Sequence, residues 1–138
     1  MSRRKRTRGG KENQDDGAAS TVTVCRGCCC GSQRKHPGTD HARQLAELDA
    51  GVAGSGRVRV TECLDACDRS NVMVVSPSRA GRAAGARPAW LGEVLDDETV
   101  GEVVAWVRAG GPGVAEQPPG LDWFRFSPSR RTRLAGEA

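Results

Sequence analysis

Residues 21–24 alternate Thr-Val-Thr-Val, and residues 58–60 read Val-Arg-Val. Alternation with a period of two suits short strands that bury one face. From Asn71 to Val75 the run is almost wholly apolar, as in a strand covered on both faces, and Pro77 stops it. Two other stretches keep helical spacing. Thr39 or Asp40 can cap the first, with Ala42, Leu45, Ala46 and Leu48 as its apolar positions and Gly51 as its end. Asp96 or Asp97 can cap the second, where Val100, Val103, Val104 and Val107 form a stripe that Gly110-Gly111-Pro112-Gly113 terminates. A short strand is predicted around 89–92. The predicted order is β-α-β-β-β-α, an α/β chain with a small mixed four-stranded sheet and two helices. Its first β-α-β unit makes a parallel pair with a right-handed crossover, and the later strands add in antiparallel fashion.

The flanks read differently. Residues 1–20 are nearly devoid of aliphatic side chains, so they cannot bury enough apolar surface to offset the entropy of ordering. They are expected to form a disordered basic tail, with residues 21–111 as the folded domain. Six Lys/Arg against three Asp/Glu give the tail a net charge of +3, while residues 21–110 carry eleven of each. Such an arm can meet nucleic acid or an acidic partner, but a solubilising tail is the reading preferred. Residues 112–138 form a Pro/Gly linker followed by Leu121-Asp122-Trp123-Phe124-Arg125-Phe126, which holds three of the chain's five aromatics. This segment is expected to fold back over the sheet; a free docking motif is the alternative. No secretory pattern and no run near the ~18 apolar residues of a membrane span is seen. Six cysteines in that setting point to a reduced compartment, the cytoplasm, and to metal or redox duty. Eighteen Arg against three Lys suggest a GC-rich bacterial source.

Four of the cysteines form two pairs, Cys25-x4-Cys30 and Cys63-x3-Cys67, each just after a predicted strand. Neighbouring strands would bring four thiolates to one sheet edge, a soft-metal donor set suited to zinc or an iron–sulfur cluster. Cys29 can replace Cys30 as a partner for Cys25, and Cys28 and Cys29 are otherwise small residues in a tight loop. Gly27 and Gly31 are expected to let backbone N–H groups approach the sulfurs, and Arg26, Arg34 and Lys35 to supply positive field.

Val24-Cys25-x4-Cys30-Gly31, then Glu62-Cys63-Leu64-Asp65-Ala66-Cys67-Asp68 and Asn71-Val72-Met73-Val74, resembles the thioredoxin-like [2Fe–2S] ferredoxins. That family includes stand-alone bacterial ferredoxins and the small cluster-bearing subunit of respiratory complex I. The resemblance spans about two-thirds of the chain; Asp65 stands where the family usually has Gly. It implies a thioredoxin-like fold, a [2Fe–2S] cluster ligated by Cys25, Cys30, Cys63 and Cys67, and one-electron transfer with a redox partner protein. It also implies pairing into a homodimer through a surface away from the cluster. The complex I role does not carry over, because the polar start replaces that subunit's helical N-terminal region.

Two rivals stand beside this reading. Cys25-Arg26-Gly27-Cys28 is a C-x-x-C after the first strand, as in a thiol–disulfide oxidoreductase, but no helix former follows and the second cysteine pair is left without a role. A structural zinc site is the other. His36 reads as a solvated loop residue and His41 as a first-turn helix residue, not as ligands. No nucleophile–base pair, P-loop or dinucleotide glycine pattern is present, so the chain is not expected to be an enzyme. The loop 76–88 with Arg79, Arg82 and Arg87 is placed at the far end of the sheet, whereas Arg26, Arg34, Lys35 and Arg69 lie near the cysteines, suited to a partner with an acidic rim.

Overall fold

The structure is a computed structural model that describes residues 18–27, 29–62, 64, 66–130 and 132. Its elements are β1 (Ser20–Cys25), α1 (His41–Val52), β2 (Gly56–Thr61), β3 (Met73–Ser76), α2 (Arg79–Ala83), β4 (Ala89–Leu91) and α3 (Asp97–Arg108). Short 3₁₀ turns span Cys67–Arg69 and Pro119–Phe124. The strands form one mixed sheet in the order β2-β1-β3-β4. β1 and β2 run parallel, with Cys25 opposite Thr61. β3 is antiparallel to β1, and β4 is antiparallel to β3. The predicted α/β class and four-stranded mixed sheet are therefore observed.

Burial follows strand position. Val22, Val24, Met73, Val74 and Val75 in the two central strands are fully buried, as a sheet covered on both faces requires. β2 lies on the edge, and its Val60 is 53% exposed. The main core joins Val22, Val24, Met73, Val75 and Leu91 to Leu48 and Val52 of α1 and to Val100, Val103, Trp106 and Val107 of α3. A second, smaller cluster holds Cys25, Cys30, Leu64, Val72, Val74 and Trp90.

Three details differ from the sequence reading. Asn71 and Val72 precede β3 rather than belonging to it. The loop 76–88 contains the one-turn helix α2, whose cap Ser78 accepts a hydrogen bond from Gly81 N–H. β1 begins at Ser20, inside the span assigned to the tail; residues 1–17 of that span lie outside the described residues. Beyond α3, the chain packs back onto the sheet, as the sequence reading expected. Leu121 is fully buried in the main core, Trp106 Nε1 donates to Ala115 O at 3.0 Å, and Arg125 bridges to Leu91 in antiparallel fashion. Among the described residues no helix is long and apolar enough to cross a membrane.

Candidate metal centre

The ladders on both sides of β1 continue one step past the strand. Cys25 N–H donates to Val72 O at 3.1 Å, and Arg26 N–H donates to Thr61 O at 2.8 Å. Three chain segments at this end of the sheet are thereby held together, at Cys25 and Arg26, at Thr61 and at Val72. Cys25 and Cys30 meet here. Their thiols hydrogen-bond to each other, and the two residues are only 2% and 6% exposed. None of Cys25, Cys29 and Cys30 is in a disulfide, and Cys29 is half-buried in the loop.

Donors surround both sulfurs. Backbone N–H groups of Leu64 and Gly27 point at the Cys25 sulfur, and Val72 N–H lies 3.4 Å from Cys30 Sγ. The hydrogen bond from Cys30 pulls the Cys25 thiol down to about 7, against the opposing effect of burial; the two amides and the Arg26 guanidinium act in the same direction. Cys30, the donor in that bond and buried as well, is pushed upward. Arg26 is itself half-buried, which lowers its pKa, while the two sulfurs pull it back up.

The predicted support is only partly as expected. Gly27 N–H serves a sulfur, but Gly31 N–H donates to Asn71 Oδ1 at 2.8 Å instead. Gly31 sits at φ 75°, and a Cβ there would come within 2.4 Å of the Arg26 side chain, so both conformation and space call for glycine. Arg26 is at the sulfurs, whereas Arg34 and Lys35 lie exposed on the loop surface. Arg79, Arg82 and Arg87 are indeed remote: Ser76, from which their loop departs, pairs with Thr21 near the start of β1.

Beneath the loop lies a buried polar network that sequence reasoning missed. Asn71 is fully buried and holds Gly31 N–H with its Oδ1 and His41 Nδ1 with its Nδ2, at 3.0 Å. That bond makes Nδ1 an acceptor, so the proton sits on Nε2 and is donated to His36 O at 3.2 Å. Gln44 accepts from Arg26 Nη2 at 2.8 Å and donates to Val94 O at 3.0 Å. Arg26 also donates to Cys25 O and His41 O. His36 is not a solvated residue; it is half-buried, and its Nε2 is 3.0 Å from Ser70 Oγ. The one available signal was that His41 and Gln44 share a helical face with Leu48 and Val52.

Of the four predicted ligands, Cys25 and Cys30 are thus brought together. Cys63, with Cys28 and Asp65, lies outside the described residues, and of Cys67 only the backbone, at the start of its 3₁₀ turn, is described. Glu62 and Leu64, the chain neighbours of position 63, both touch the Cys25 sulfur: Cys25 Sγ donates to Glu62 O at 3.5 Å, and Leu64 N–H points back at it. Among the described residues no group of three or more metal-ligating side chains converges. The described half-site fits a thiolate-bound metal on its donor chemistry: two adjacent sulfurs, three amide donors and one guanidinium offset the negative charge of bound thiolates.

In comparisons with known proteins, the chain matches no family model, no curated protein and no solved structure.

Proposed function

We propose that the chain is a one-electron carrier with a [2Fe–2S] cluster held by Cys25, Cys30, Cys63 and Cys67 at one tip of a thioredoxin-like sheet. The contact of two buried thiols, each served by a backbone amide, beside Glu62 and Leu64 carries this reading. A parallel β1–β2 pair followed by antiparallel β3 and β4 is the strand arrangement expected of that fold. When bound, such a cluster supplies a reversible one-electron step. The chain's own part is to hold four thiolates, to direct the amides of Gly27, Leu64 and Val72 at sulfur, and to place Arg26 as fixed positive charge. These donors favour the more negative, reduced state and so raise the potential. On this reading the protein catalyses nothing alone. It works in a reducing cytoplasm with a reductase or acceptor enzyme, and a second copy pairs away from the cluster.

Anaerobic purification tests the proposal. About two irons and two acid-labile sulfides per chain are expected, with a visible spectrum bleached by dithionite. Serine at any one of the four positions removes that spectrum, while Cys28→Ser and Cys29→Ser retain it. Colourless protein without iron or sulfide overturns the assignment.

One observation favours a second reading. Cys25 and Cys30 are both free thiols at one site, so Cys25 would exchange with a substrate disulfide, Cys30 then closing an intramolecular bond as the substrate leaves as two thiols. The partner there is Cys30 rather than the Cys28 of the C-x-x-C. Against it, α1 starts only at His41, sixteen residues after Cys25, so the reactive cysteine does not lead directly into a helix. Iron-free protein that reduces a small-molecule disulfide through a Cys25–Cys30 bond would establish it.

A further inference from the structure

We propose that the C-terminal strap, residues 125–132, positions the second cysteine turn and forms the outer wall of the site, with Phe126 as the positioning residue. The turn Cys67–Arg69 has no strand of its own to hold it. Its grip comes from the exit of β4 and from the strap. Arg69 N–H donates to Ala66 O at 2.9 Å, and Glu93 N–H donates to Arg69 O at 2.6 Å. Glu93 adopts φ 58°, a left-handed conformation uncommon outside glycine, and this aims its amide at the turn. Gly92 lies against Arg69 so closely that a Cβ there would be 2.9 Å from Arg69 Cβ.

The strap completes the enclosure. Phe126 N–H donates to Trp90 O at 3.1 Å, and Gly92 N–H donates to Phe124 O at 2.8 Å, which extends the sheet beyond β4. The Phe126 ring meets Trp90 edge-on, with centroids 6.1 Å apart, and the Arg69 guanidinium lies 5.2 Å from its centre. Phe126 and Ala66 both pack on the small cluster that contains Cys25 and Cys30. Past Phe126, Ser129 Oγ accepts from Thr132 N–H and donates to Thr132 Oγ1, and the buried Thr132 closes a cleft of about 230 Å³ shared with Ala66, Asp68 and Arg69. A segment more than fifty residues away in sequence thus sets where the turn bearing Cys67 can sit and how much water reaches it.

The strap contact itself is independent of any cofactor; its redox consequence rests on the cluster reading above. Phe126→Ala, Phe126→Tyr and Arg69→Lys form the test set, the last keeping charge and a tryptic site but losing the planar stack. In iron-free protein, trypsin is expected to cut after residue 69 faster in Phe126→Ala and Arg69→Lys than in the parent, with Phe126→Tyr restored. In cluster-loaded protein, Phe126→Ala is expected to release iron to a chelator roughly tenfold faster, with a shifted midpoint potential and visible circular dichroism, again restored by Tyr. Unchanged cleavage after residue 69 in both Phe126→Ala and Arg69→Lys overturns the proposal. Iron-loaded Phe126→Ala with parental iron release and potential does so too. Should the parent chain carry no iron, the cluster reading fails and cleavage alone decides the strap; should Phe126→Ala not fold, Arg69→Lys decides it.

Discussion

The two long helices are of equal length, twelve residues each, yet they serve different ends of the molecule. α3 buries Thr99 and an apolar stripe, Val100, Val103, Trp106 and Val107, that closes the main core. α1 buries His41, Gln44, Leu48 and Val52. Its second half matches α3, but its first half puts an imidazole and an amide where α3 puts a threonine and a valine. The buried side chains of α1's first turn are there to hold other chain segments: Asn71, the 26–31 loop and the carbonyl of Val94. Both helices begin on an aspartate cap, Asp40 and Asp96, so capping does not separate them. The contrast teaches that burial in this small domain is divided between apolar contacts that make the fold and polar contacts that shape a site.

Damage to either helix should therefore leave a different trace. The largest effect is expected on the α3 side. Trp106→Ala removes a nearly fully buried indole and its bond to Ala115 O, and should cost about 3–5 kcal/mol in chemical denaturation. On the cluster reading proposed above, iron content should then fall only with the folded fraction. Asn71→Ala, on the α1 side, leaves Gly31 N–H and His41 Nδ1 without partners and should cost roughly 1–3 kcal/mol. Here the folded protein itself should lose its cysteine-dependent spectrum, and an unaltered spectrum would dissolve the distinction between the helices.

A smaller effect follows pH. Burial, and then Lys35 and His41, hold His36 below its ordinary 6.5. With the folded-state value depressed, the stability His36 contributes is present above 6.5 and is lost as pH falls through the folded value. Denaturation midpoints should drop on acidification below that point, and His36→Gln should flatten the drop. The smallest effect belongs to Arg43, whose guanidinium reaches Glu47 at 2.9 Å and Asp97 at 2.7 Å, joining the exposed starts of α1 and α3. In moderate salt, Arg43→Gln is expected to leave the melting temperature unchanged within error.

How far the sequence was legible follows the same divide. Alternating Thr and Val gave β1, the apolar run gave the centre of β3, and the valine stripe gave α3, because each reports simple burial. α1 was found, but its buried face was misjudged. Ala42 and Ala46, read as core, are exposed, while His41 and Gln44 are buried. Hydrophobic spacing cannot register a polar side chain whose partners come from other segments. Asn71 was hidden for the same reason, as the polar opening of an apolar run. The meeting of Cys25 with Cys30 is the pairing the family resemblance implied, with Cys29 left open by the residues alone, and the turn of Gly31 toward Asn71 depended on that unforeseen amide.

The place of β1 between β2 and β3 has a consequence for how the cysteine pair behaves in time. Cys25 is the last residue of a strand bonded on both flanks, whereas Cys30 belongs to a stretch, 27–40, that holds no strand or helix among its described residues. Amide deuteration should therefore change abruptly between the two, slow before residue 26 and fast soon after it. One sulfur belongs to a strand bonded on both sides, and the other to a loop tied down by Asn71 and by Val72 N–H. Brief local opening can part them while the sheet stays intact, so the time the pair spends closed is set by a dozen loop residues rather than by global unfolding.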